Sequence, residues 1–81
     1  NSEQMKRLLT IKLRGVRREF EIDNSKISGL FKGMSHADVE RVLRRAIKEK
    51  VLSGKEFLTE RHIQSAIRRE DARRNRVSKQ E

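Results

Sequence analysis

Arginine is the residue type in this chain with the clearest capacity for chemistry, and two of its clusters stand out as candidate binding residues. A guanidinium group binds phosphates and guanine edges through paired N–H donors. The stretch GMSHADVERVLRRA, residues 33–46, carries three arginines, and three more follow near the end of the sequence. The candidate contacts to nucleic acid or to an acidic protein surface are Arg41, Arg44, Arg45, Arg73, Arg74 and Arg76.

The charge balance of the whole chain points to the same kinds of ligand. Lysine and arginine number 21 against 12 aspartates and glutamates, which gives a net charge of +9 and a pI of about 10.9. Such a balance favours an anionic partner, whether nucleic acid, nucleotide phosphate or an acidic protein face. A well-solvated surface explains the charge equally well, so charge alone does not identify a ligand.

Catalysis by this chain alone is not expected. The phosphate-binding loop G-x-x-x-x-G-K-[ST] is absent, and no cysteine is present. The histidines His36 and His62 belong to different predicted helices, with no acidic cluster beside them to complete a metal site. We therefore predict neither a catalytic residue nor a metal ligand.

Length and composition predict one small helical domain with a thin core. The chain has 81 residues, of which 41% are charged and only 4% aromatic, so the core must be mostly aliphatic. No apolar run approaches the roughly 18 residues of a membrane span, and no signal peptide is visible, so we expect a cytoplasmic protein. The first residue is Asn1 rather than Met, which suggests a fragment of a longer protein.

The first half of the chain predicts two helices joined by an irregular linker. Residues 3–14 keep an apolar stripe at helical spacing, and Gly15 follows. The segment VRREFEID, residues 16–23, is predicted to be extended or irregular. A short helix then begins after Asp23 or Asn24 and ends at Gly33.

The second half predicts two helices that begin in the same way. Ser35 and Thr59 are predicted N-caps. Each is preceded by an apolar residue, which can pack against the apolar residue at the fourth position of the helix. The third helix runs to about Leu52. The stripe of the last helix gives way to charged residues, so we predict a helical unit over residues 1–72 and a disordered basic tail over residues 73–81.

One interpretation of residues 25–46 is a helix-turn-helix motif that binds DNA. A short helix, a glycine turn and a longer helix stand in the order that this motif requires. Its weakness is that Asp38 and Glu40 occupy the front of the second helix, where base-reading residues should meet the negative potential of DNA.

The other interpretation rests on an ordered set of segments between Met5 and Arg69. RLLTIKL, REFEID, ISGLFKG, GMSHADVERVLRRAI and FLTERHIQSAI follow one another in this order. In order and spacing the set resembles the C-terminal α-helical lid subdomain of AAA+ ATPases. The resemblance covers about four-fifths of the chain.

The resemblance implies a lid that packs beside an α/β ATPase core of the same chain and beside neighbouring subunits of a homo-oligomeric ring. Such a lid covers the adenine and ribose of ATP, while the core holds the magnesium ion. The small pair of the family motif falls on His36 and Ala37, where His36 replaces the usual glycine. Further lid contacts fall near Leu8 and Lys12. The first arginine of this helix, Arg41, lies nearly two turns in, so a phosphate-sensing arginine is not implied.

Overall fold

Four α-helices make up the fold, as the sequence predicts. The computed structural model describes the backbone of residues 2–22 and 24–79, and the side chains of residues 3–22 and 24–73. The helices are α1 (Ser2–Lys12), α2 (Ser25–Leu30), α3 (His36–Leu52) and α4 (Glu60–Lys79). In this described part, no helix combines the length and the apolar character needed to cross a bilayer. The all-α prediction is confirmed.

The core is a single aliphatic cluster around one aromatic ring. Phe31 is the largest fully buried side chain, and α3 packs mainly against α4 while α1 packs against α2. The apolar stripes predicted for the helices supply most of this cluster. Its buried members are Leu8, Leu9, Leu13, Ile27, Phe31, Val39, Val42, Leu43, Ala46, Leu58, Ile63 and Ala66.

Side-chain caps start three of the helices at predicted positions. The Ser35 hydroxyl oxygen accepts a hydrogen bond from the Asp38 N–H at 3.1 Å. Asn24 Oδ1 accepts from the Lys26 N–H at 2.8 Å, which makes Asn24 the cap of α2; the alternative, Asp23, lies outside the described residues. Each cap satisfies a backbone donor that the first turn of a helix leaves unpaired.

The start of α4 adds a reciprocal hydrogen bond. Thr59 Oγ1 accepts from the His62 N–H at 3.3 Å, and His62 Nδ1 accepts from the Thr59 N–H at 3.0 Å. This is the geometry of a capping box in which an imidazole replaces the usual carboxylate or amide. Thr59 is therefore the predicted N-cap, and His62 has a structural role that the sequence prediction did not assign.

An isolated pairing joins the two irregular segments of the chain. Leu58 N–H donates to the Arg17 carbonyl at 2.8 Å, and Glu19 N–H donates to the Leu58 carbonyl at 2.9 Å. These two bonds form a single parallel bridge between Arg18 and Leu58, and no longer strand is present among the described residues. The predicted irregular linker is thus fixed against the loop that precedes α4.

The disordered tail predicted after Ala72 is not confirmed by the described backbone. Helix α4 continues through Lys79 although its apolar stripe ends earlier. Arginine, lysine and alanine have high intrinsic helix propensity, and Glu70 and Arg73 form an i, i+3 ion pair on this segment. Local preference thus extends the helix beyond its packing. Residues 80 and 81 lie outside the described part, and the mobility of the tail stays a prediction.

Glycines end α1, α2 and α3 as predicted, and Gly33 offers a clean test of backbone strain. Gly33 has a φ of +84° and no atom within 4 Å of an added Cβ, whereas Gly29 lies inside α2 with equally open surroundings. Gly33→Ala should lower the free energy of unfolding by about 1–2 kcal/mol because an L-residue is strained at positive φ.

The matched control is Gly29→Ala, which should raise the free energy of unfolding by roughly 0.5–1 kcal/mol through helix propensity. Urea denaturation followed by circular dichroism measures both variants. A Gly33→Ala variant as stable as Gly29→Ala would contradict the assigned turn.

Candidate functional site

The first turn of α3 presents an open helix N-terminus. His36 and Ala37 are its first two residues, and both are exposed. The backbone N–H groups of a first helical turn lack partners inside the helix, and the helix dipole adds a partial positive charge there. Ser35 satisfies one of these donors. This end of the helix can therefore approach an anionic or polar ligand closely.

An ion pair brings the end of α1 to the same turn. Lys12 Nζ lies 3.1 Å from Glu40 Oε1, and Glu40 stands one turn after His36 on α3. The Lys12 ammonium, which donates a hydrogen bond to this carboxylate, holds the pKa of Glu40 below its ordinary value, with smaller contributions from the positive charges of Arg44 and His36. Three predicted contacts, His36, Ala37 and Lys12, thus belong to one region.

The fourth predicted contact, Leu8, is buried in the core. Leu8 lies one turn before Lys12 on α1, and only 6% of it is exposed. Its side chain is part of the core cluster, where it holds α1 in place and leaves little surface for a ligand.

The outer face of α1 carries an apolar residue in water. Ile11 is 55% exposed, and its neighbours on this face are Lys6, Arg7, Thr10 and Arg14. Ile11 lies off the apolar stripe of α1, so its side chain is on the side of the helix that faces away from the core. A single exposed isoleucine is ordinary, but this face has room for a packing partner.

A basic groove forms where the predicted arginines of α3 meet α4. It has a volume of about 190 Å³ and is lined by Arg41, Arg44, Arg45 and Lys48 of α3 and by Glu70 of α4. The four cations recur at helical spacing on one side of α3, and three of them, Arg41, Arg44 and Arg45, are predicted contacts. Lys48 joins them in the structure.

Glu70 is the residue of the groove that the sequence prediction missed. Its side chain is only 14% exposed, and Oε1 lies 3.1 Å from Arg45 Nε while Oε2 lies 3.5 Å from Arg73 Nη1. Glu70 is the first charged residue at a position where the apolar stripe of α4 would otherwise continue. The structure shows how a carboxylate fits there, because it pairs with one arginine from each helix. The side chains of Arg74 and Arg76 lie outside the described residues.

Neither a metal site nor a known relative adds to this description. Among the described residues, no three histidine, aspartate or glutamate side chains group closely enough to hold a metal ion. Comparison with models of protein families, with curated proteins and with solved structures gave no match.

The Lys12–Glu40 pair predicts a specific pH response. In Lys12→Met, the pKa of Glu40 should rise toward its ordinary value, because the hydrogen bond and the largest positive charge are removed. Arg14→Met, a change of equal charge on the same helix end, should leave that pKa unchanged. Carboxyl-carbon chemical shifts recorded by NMR across a pH titration measure both.

The sign for stability follows from the lowered pKa. The contribution of the ionised Glu40 is fully present above the ordinary glutamate pKa, and it is lost as pH falls through the lowered folded-state pKa. An unchanged Glu40 titration in Lys12→Met would show that the pair does not exist in solution.

Proposed function

We propose that this chain is the lid subdomain of an AAA+ ATPase, which covers the adenine and ribose of ATP bound to an α/β core of the same protein. The lid lies between that core and the neighbouring subunit of a homo-oligomeric ring, and it couples ATP hydrolysis to subunit motion. The core supplies the magnesium ion and the catalytic residues. The chain itself supplies the open end of α3 and the adjoining end of α1.

The observation that carries the proposal is the arrangement at the start of α3. Two small or planar side chains, Ala37 and His36, leave the helix N-terminus open, and the Lys12–Glu40 pair fixes α1 beside it. A ligand base that approaches this end meets a short methyl group, an imidazole and free backbone donors. An adenosine bound there would bury apolar surface without displacing a bulky side chain.

The exposed face of α1 supports the partner that the proposal needs. Ile11 is exposed between charged and polar neighbours on a face that the other helices do not cover. Burying the exposed half of this side chain against another domain would contribute about 1–1.5 kcal/mol. We assign this face to the α/β core.

The helix-turn-helix alternative receives less support from the geometry. Its recognition helix would be α3, read from its front, yet the cations nearest that front are already engaged. Lys12 pairs with Glu40, and Arg41 Nη1 lies 3.6 Å from Asp38 Oδ1. In addition, α2 has only six residues, and α2 with α3 is not one of the two main helix pairs.

The coding sequence on the N-terminal side of the chain provides the first test. We expect a G-x-x-x-x-G-K-[ST] loop and an acidic magnesium-binding strand encoded upstream of residue 1. A reading frame that begins at or just before Asn1 would end the proposal.

A variant of the intact ATPase provides the second test. Ala37→Leu should weaken ATP binding about tenfold or more, because a loss of about 1.4 kcal/mol is expected when a bulky side chain separates the base from the helix end. Ala72→Leu, an equal change at an exposed position of α4, should leave binding unchanged. Fluorescence titration with a labelled ATP analogue measures both variants, and equal affinities for the two would contradict the assigned contact.

A further inference from the structure

The groove between α3 and α4 presents positive charge that the fold does not use. Arg44 and Lys48 are exposed, and neither has a carboxylate within ion-pair distance in the described part of the chain. Arg41 is about half exposed and has only the longer contact of 3.6 Å with Asp38. Arg44 and Lys48 therefore retain most of their binding capacity, and Arg41 adds a third cation that Asp38 partly engages.

Glu70 organises this groove without neutralising it. One carboxylate oxygen lies 3.1 Å from Arg45, which lines the groove, and the other lies 3.5 Å from Arg73 of α4, while the carboxylate itself is largely buried. A buried, doubly paired carboxylate orients its arginine partners more rigidly than solvent would. The groove thus combines one guanidinium group that is paired with Glu70, that of Arg45, with the exposed cations of Arg44 and Lys48.

The residues that line the groove include no aromatic side chain on which a base could stack. Phe31 is buried, Phe20 is half-buried, and Phe57 lies on the far loop beside the linker, so none of the three lines the groove. Proteins that hold single strands use aromatic platforms on which bases stack. A groove with cations and no aromatic ring fits a phosphate backbone instead.

The spacing of the cations matches a duplex backbone. Arg41 and Lys48 are seven residues apart, which corresponds to about 10 Å along the helix axis. One B-DNA strand carries one phosphate for about every 3.4 Å of the duplex axis, so a row of this length laid along that axis meets about three phosphates. B-DNA has a wide major groove, so an α-helix at its edge can contact the flanking phosphates, whereas the narrow major groove of A-form RNA leaves less room for that approach.

We propose that the groove between α3 and α4 is a docking site for the phosphate backbone of duplex DNA. The contacts come from the body of α3, through Arg41, Arg44 and Lys48, with Arg45 and Arg73 held by Glu70. The site reads no base sequence. It is separate from the nucleotide-facing end of α3, so it does not depend on the lid proposal.

The test is the binding of a fluorescein-labelled 20-base-pair DNA duplex to the 81-residue chain, followed by anisotropy across a range of salt concentrations. Removing two groove charges in Arg44→Gln/Lys48→Gln should weaken binding at least about tenfold and reduce the slope of log affinity against log salt by about 2. The control Lys6→Gln/Arg7→Gln removes the same charge from the outer face of α1 and should weaken binding by less than about twofold.

A third variant is expected to bind the duplex more tightly, and a gain in affinity cannot result from a folding defect. Glu70→Gln removes the one carboxylate that lines the groove among the described side chains, and it should raise the affinity for the duplex while circular dichroism reports retained helix. Equal losses in the two double variants would overturn the proposal in favour of general charge attraction. An affinity for single-stranded DNA, duplex RNA or polyglutamate that equals or exceeds the affinity for duplex DNA would also overturn it.

Discussion

The placement of the two helical pairs depends on the backbone of one buried residue, Leu58. Helices α1 and α2 pack together, as do α3 and α4, and Leu58 joins the linker of the first pair to the loop of the second through hydrogen bonds with Arg17 and Glu19. Its side chain is fully buried in the shared core. Because a buried backbone group without a partner costs about 1–3 kcal/mol, these two irregular segments hold each other in position.

Ion pairs refine this arrangement rather than create it. Lys12–Glu40 links α1 to α3, Lys26–Glu60 links α2 to α4, and Arg45–Glu70 links α3 to α4. Ion pairs that solvent reaches, such as Lys12–Glu40, contribute little to stability, so the aliphatic core must supply most of it. The value of the pairs lies in orientation, since each fixes a long side chain at a place where a ligand could meet it.

Sequence reasoning predicted the features that local rules govern. Caps at Ser35 and Thr59, stripe residues and the glycine stops follow from spacing within one helix. Sequence reasoning missed the bridge at Leu58 and the pairing of Glu70 with Arg45 and Arg73. Both depend on which segments meet in the folded chain. The continuation of α4 was missed for the opposite reason: packing was used to end a helix that local propensity continues through Lys79. The predicted ligand contacts lie together only in part, since Leu8 belongs to the core.

The distribution of charge along α3 explains how one helix can carry two kinds of surface. At its front, Asp38 and Glu40 lie close to Arg41 and Lys12, so the open N-terminus is nearly neutral apart from its dipole. Further along, the same helix carries cations opposed, among the described groove side chains, by Glu70 alone. A front without strong charge suits the close approach of a nucleoside, whereas an incompletely neutralised row suits a polyanion. Because the two surfaces share only Arg41, the other side chains of each surface can be substituted without changing those of the other.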